Sequence, residues 1–215
     1  MALSTELVIT RHGEAACNVA GIVGGDRGCT GLTPRGTDQV TRLAERLRRE
    51  HETIRPFDVL YASPRLRSQQ SGQILADLIG VPLDTEPDLV GPNHGDADGQ
   101  AWEDIKGAFK GPPQAFPTRP HAPGAEPWFS YLARTASVLA RLLDMYAARR
   151  ILIAAHGETI EAAHGLLLDL PFTACLRLSF RTDHASLSRW ERHTNRFDRT
   201  VWMLAAHNDT AHLAS

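Results

Sequence analysis

The sequence predicts an α/β fold, a three-layer α/β/α sandwich in which helices cover both faces of a mostly parallel central sheet. Two observations carry this expectation. Short apolar runs alternate along the chain with segments of helical period. The runs Leu7-Val8-Ile9-Thr10 and Ile151 to Ala155 are continuous, as in strands buried on both faces.

The elements follow in order. Residues 6–10 read as a buried strand. Residues 12–32 are Gly-rich and polar and read as a loop or a broken helix start. Thr33-Pro34 makes a helix cap and first turn, and Val40, Leu43, Ala44 and Leu47 continue it at helical spacing. Phe57 to Tyr61 is the next strand. Ser63-Pro64 opens a helix that ends near Gly80, with Pro82 beyond. Residues 86–127 are rich in Gly and Pro, with a helix expected from Gln100 to Phe109. The stretch is too long for an ordinary connection and reads as an inserted lid within a single domain spanning 1–215. Phe129, Leu132, Ala133, Ala136, Ala140 and Leu143 mark an amphipathic helix. Ile151–Ala155 is a strand and Glu158–Leu168 a helix stopped before Pro171. Leu176–Phe180, Ala185–Trp190 and Thr200–Ala205 read as closing strands.

Composition narrows the partners. The 215 residues are 42% hydrophobic, enough for a full core. A net charge of −2 provides no basic field for nucleic acid. No run has the ~20 apolar residues of a membrane span, and no basic-then-apolar leader opens the chain. Cys17, Cys29 and Cys175 form neither a disulfide framework nor a metal-site spacing. These features point to a cytoplasmic protein that binds neither nucleic acid nor membrane; a homodimer is left open.

Chemistry-bearing residues gather at two strand ends. Arg11-His12-Gly13-Glu14 follows the first apolar run, and His156-Gly157 follows Ile151–Ala155. Strands of an α/β sheet present ligands at their carboxyl ends, so both histidines are expected in one site. The arginine beside the first indicates an anionic substrate, most simply a phosphate.

The chain resembles the histidine phosphatase superfamily, in its phosphoglycerate-mutase-like branch. Arg11-His12-Gly13-Glu14 with Asn18 resembles the family's nucleophile motif. Gly31-Leu32-Thr33-Pro34-Arg35-Gly36 resembles its next helix start, and Ser63-Pro64-Arg65-Leu66-Arg67-Ser68 its arginine segment. Ala155-His156-Gly157 resembles its second histidine motif, and Asn208 to Leu213 its ending. Five such segments in the same order are far more specific than any one.

The resemblance implies a phosphoglycerate-mutase-like fold and a metal-independent, cofactor-free phosphomonoesterase acting on a small phosphorylated metabolite. His12 would attack phosphorus and form a phosphohistidine. Arg11, Arg67 and His156 would bind and stabilise the phosphoryl oxygens. Asn18 and Gly157 would complete substrate binding. Glu14 is read as a structural hydrogen-bonding partner. Arg65 is read as a solvated helix-start charge, and His184 as structural, near the pocket at most.

One departure bears on the reaction. The family's usual proton-donating glutamate falls on Gly91, within Leu89-Val90-Gly91-Pro92-Asn93-His94-Gly95. A positioned acid is worth roughly 10²–10⁴-fold in rate. His94, Asp96 and Glu158 are the candidate substitutes, with His94 ranked first because an ordinary histidine titrates near neutrality. Two other functions share the motifs: a phosphomutase of phosphoglycerate type, and a degenerate protein that binds a phosphate ester without turnover.

Overall fold

The computed structural model describes residues 2–214. Its centre is a six-stranded sheet in the order β3-β2-β4-β1-β5-β6. The strands are β1 (Ala2–Arg11), β2 (Val59–Ala62), β3 (Leu83–Thr85), β4 (Arg150–Ala155), β5 (Leu187–Thr194) and β6 (Thr200–Asp209). β1, β2, β3 and β4 are parallel, while β5 and β6 run antiparallel at one side.

Alternation along β1 builds the three layers. Leu7 and Ile9 face one cluster with Ile151, Ile153 and the helices α5 (Trp128–Met145) and α6 (Gly157–Leu167). Val8 faces the other with Leu152, Ala154 and the helices α2 (Pro34–Thr53) and α3 (Leu66–Ile79). Every residue of β4 is buried, which explains its unbroken apolar run. Thr33 caps α2, its Oγ1 accepting from the Gly36 amide at 2.9 Å, and Pro34 opens the helix. Gly80 ends α3 at φ 82°, a left-handed conformation glycine adopts freely.

Several expectations need correction. Leu176–Phe180 is not a strand: a 3₁₀ turn spans Phe172–Leu176 and irregular chain follows. A strand needs a partner, and this segment pairs with no strand of the sheet. β5 starts at Leu187, since Ala185 turns the chain at φ 54°. β2 begins two residues later than expected, and the three-residue β3 was not anticipated. Residues 12–32 hold a single helical turn, α1 (Ala16–Val19). Within 86–127, the short helix α4 (Trp102–Phe109) forms as expected, and Ile105 joins Val23 and Ala97 in a small cluster of its own.

Candidate active site

β1, β4 and β2 lie side by side, and each ends in a polar residue of the site. Arg11 pairs in register with Ala155, so His12 and His156 leave the sheet at the same level. Ser63, directly after β2, bonds its amide to the Ala154 carbonyl. The chain after His12 must pass close to α2. A Cβ on Gly13 would sit 2.3 Å from the Gly36 carbonyl oxygen, so only glycine fits there.

His12 is buried, and its hydrogen bonds fix its tautomer. Arg67 Nε lies 2.9 Å from His12 Nε2. A guanidinium can only donate, so Nε2 carries the lone pair. The proton is therefore on Nδ1, which donates to the Gly13 carbonyl at 2.7 Å. Burial first, then Arg67, His156 and Arg11, hold the His12 pKa well below its usual value. The ring is thus neutral, with a nucleophilic nitrogen directed at the guanidinium.

Arg67 sits in the first turn of α3 and is buried. Besides His12, it donates from Nη1 to the Gly24 carbonyl at 2.6 Å, and its Nη2 lies 3.5 Å from His156 Nδ1. It contacts no carboxylate. His156 caps α6, and its Nε2 lies 2.8 Å from Ser63 Oγ. Its pKa too is far below normal, through burial and then Arg67, Arg65 and Arg11. The two imidazoles meet edge to face, 5.6 Å between centroids. Arg11 donates to the Thr182 carbonyl at 2.6 Å and to His184 Nε2 at 2.9 Å, again without a carboxylate. Two guanidinium groups and two neutral histidines thus gather at one place, and among the described residues neither guanidinium is ion-paired with a carboxylate. Such an arrangement binds a small oxyanion.

The histidine phosphatase superfamily model (branch 1) matches residues 7–205. The chain belongs to this superfamily. Two relatives named probable phosphoglycerate mutase GpmB, from Yersinia pestis (strain Pestoides F) and Yersinia pseudotuberculosis (serotype O:1b), are each 27% identical over 216 residues. Each match covers 97% of this chain and 94% of the relative. Among solved structures, a mycobacterial glucosyl-3-phosphoglycerate phosphatase, solved with VO3, superposes with a TM-score of 0.79. It is 23% identical, with 94% of this chain and 98% of that one covered. A phosphoserine phosphatase mutant from Entamoeba histolytica, solved with phosphoserine, gives a TM-score of 0.75 at 21% identity, covering 97% and 99%. At these identities the structures establish the shared histidine phosphatase fold.

The other expected residues divide. Asn18 and Glu158 line a cleft of about 320 Å³ with Arg11, His94, Trp102 and Lys106. Asn18 also caps the amino end of α1, its Oδ1 accepting from the Ala15 amide at 3.1 Å. Gly157 allows close packing: a Cβ there would lie 2.4 Å from Thr182 Oγ1. Gly91 is buried, and a Cβ on it would sit 3.3 Å from His156 Nε2. A side chain at position 91 would therefore start beside the second histidine.

His94 reaches the cleft, but in the wrong state for an acid. It is buried against Trp102, with Nδ1 3.3 Å from His121 Nε2. Burial and then His121 push its pKa down to about 3. It holds no imidazolium proton near neutrality, so its ranking as first substitute does not stand. Asp96 is exposed and is not among the residues lining the cleft. Glu158, in the first turn of α6, is the remaining candidate. Glu126 also lines the cleft but is held by Arg134 at 3.2 and 2.8 Å.

Three residues were undervalued in the sequence. Arg65 is buried rather than solvated, ion-paired with Asp26 and 3.4 Å from the Pro92 carbonyl. His184 accepts from Arg11, and its ring centroid is 5.9 Å from that of His12. Ser63 orients His156. The signal for Ser63 and Arg65 was their place at the end of a strand, the position already used to select His12 and His156. Glu14 behaves as expected, accepting from Thr33 Oγ1 at 2.8 Å.

Proposed function

We propose that this histidine phosphatase hydrolyses the phosphomonoester of a small metabolite through a phosphohistidine on His12. The observation that carries the proposal is Arg67, a buried guanidinium in contact with His12 and His156 and with no carboxylate. The phosphoryl group supplies the missing anion. Its oxygens take the donors of Arg67 and Arg11, with Asn18 as a further donor at the mouth of the cleft. His12 Nε2 then attacks phosphorus in line. The N–P bond forms as the ester P–O bond breaks, while the Gly13 carbonyl keeps the Nδ1 proton in place and steadies the charge on the ring. His156, oriented by Ser63, faces the same oxygens.

The leaving oxygen needs a proton. The usual glutamate position is Gly91, and we assign the role to Glu158, which lines the cleft and makes no ion pair among the described residues. Glu158 gives its proton to the leaving alkoxide and takes one back from the attacking water. Water forms the new P–O bond as the N–P bond breaks, which releases inorganic phosphate and returns His12 to its starting form.

Lys106, stacked on Trp102 at 5.4 Å, and His121 stand on the far wall and suit a polar or anionic remainder. A sugar phosphate or a phosphoglycerate-like acid has this chemistry. The kinship with proteins named phosphoglycerate mutases favours one second reading, transfer to another hydroxyl of the same substrate.

The test is phosphate release from an aryl ester and a panel of alkyl and sugar phosphates, with His12→Ala as control. The expected result is release that falls to background in His12→Ala, together with a trapped phosphohistidine in the unmodified protein. Release unchanged by His12→Ala would refute the mechanism. An isomeric product formed without net phosphate release, dependent on a bisphosphate primer, would select the mutase. Tight binding without turnover would select a binding protein.

A further inference from the structure

α6 carries a glycine in its interior that close packing does not require. A Cβ on Gly165 would meet no neighbouring atom within 4 Å, although glycine weakens a helix at such a position. Gly165 instead lines a cavity of about 200 Å³ between α5, α6 and the chain from Asp169 to Phe180. An apolar cavity of roughly 150 Å³ takes up benzene, so this one has room for a ring with a short side chain. Its walls are mostly apolar, with Leu132, Phe172 and Phe180 among them, and none of its lining residues lines the active-site cleft.

Only two of the lining residues are charged, and both are acidic. Asp169 is exposed. Glu161 is partly buried and has no hydrogen-bond or ion-pair partner among the described residues. Burial, and then Glu158 one turn earlier in α6, raise its pKa to about 7. A carboxylate in apolar surroundings is costly without a partner. A bound cation supplies that partner and offsets the repulsion from Glu158.

We propose that this cavity binds a small hydrophobic amine, with its apolar body among the side chains of α5 and α6 and its ammonium group on the Glu161 carboxylate. The two acidic residues exclude an anion, so a phosphorylated substrate does not enter. A neutral apolar molecule fills the space but leaves Glu161 without a partner. The ammonium donates to a charged acceptor, and such a hydrogen bond is stronger than one between neutral groups. The missing side chain at position 165 keeps the space open.

This inference is independent of the catalytic proposal and is tested by calorimetric titration of the intact chain. The probes are phenethylamine, phenethyl alcohol and phenylpropionate, which share a ring and differ in the charge of the polar end. The amine is expected to bind saturably at one site, the alcohol about tenfold more weakly, and the acid not at all. Glu161→Gln keeps the shape and should reduce the amine to the affinity of the alcohol. Gly165→Leu provides a second variant that does not depend on the carboxylate. It fills the cavity where a side chain meets no obstacle and suits the helix, so Tm should hold or rise while binding of both amine and alcohol is lost. Absence of saturable amine binding would overturn the inference, as would equal affinity for amine and alcohol. Amine binding that survives Glu161→Gln or Gly165→Leu undiminished would place the ligand elsewhere and refute the site.

Discussion

The two ends of the central sheet handle buried positive charge in opposite ways. At the amino end of β4, Arg150 is fully buried, with Glu6 and Glu50 each 2.9 Å from its guanidinium. Arg189 bonds the same two carboxylates, and the Arg150 guanidinium lies 3.9 Å from the Phe57 ring centroid. At the carboxyl end, Arg67 is also buried, but it contacts two histidines and a carbonyl. At one end the buried guanidinium is ion-paired with carboxylates; at the other, among the described residues, Arg67 is ion-paired with none. A guanidinium matched by carboxylates supports the fold, whereas one left unmatched at the strand ends has ligand binding as its use.

Exchanging the same side chain at both ends tests this contrast most strongly. Arg150→Met leaves Glu6 with Arg189 alone and Glu50 with Arg189 and Arg46, and removing one partner of a buried ion pair costs up to about 3–5 kcal/mol. Its unfolding midpoint in urea should fall, while the folded fraction keeps its turnover. Arg67→Met should do the reverse. Loss of a positioned donor to a developing charge costs about 10²–10³-fold in turnover. Stability should hold or rise, because an uncompensated buried charge is removed. If Arg67→Met unfolds the protein as readily as Arg150→Met does, the two ends do not differ in the way argued here.

A smaller effect is expected on the leaving-group side. Glu158→Gln keeps shape and removes the proton. Turnover of alkyl phosphates should drop by about 10²-fold, at the low end for a general acid, while aryl phosphates with good leaving groups change little. Equal losses on both ester classes would mean that Glu158 binds substrate rather than protonating the leaving oxygen.

What the sequence disclosed follows the same division. The histidine end was legible because local patterns specify it. An apolar run followed by His-Gly places a histidine at a strand end, and Thr33-Pro34 and Gly80 mark helix limits through backbone rules. The state of His94 was not legible. Its low pKa comes from packing against His121 and Trp102, residues distant in sequence that irregular chain brings together. Arg65 was misjudged for a related reason: its partner Asp26 lies 39 residues earlier, in a loop without periodicity. Leu176–Phe180 shows the limit for strands, since alternation proposes a strand but only backbone pairing with the sheet makes one.

The smallest effect, a pH dependence of stability, sharpens the comparison further. Burial holds His12 and His156 far below the ordinary histidine pKa, His94 at about 3, and His184 at about 4. The unfolded chain takes up these protons near pH 6.5 and the folded chain does not, so stability is full above pH 6.5 and declines as pH falls. Tm should therefore fall between pH 7 and pH 5. The carboxylate end contributes little over this range. Burial opposes ionisation of Glu50, but Arg189, Arg150 and Arg46 outweigh it and lower its pKa, so its share is lost only in stronger acid. Arg67→Met should therefore flatten the slope, because after burial the guanidinium is the largest influence holding His12 and His156 neutral, whereas Arg150→Met should lower Tm evenly and leave the slope unchanged. A Tm that stays level from pH 7 to pH 5, or a slope that responds to Arg150 rather than Arg67, would show that the histidine end is not where the protein withholds its protons.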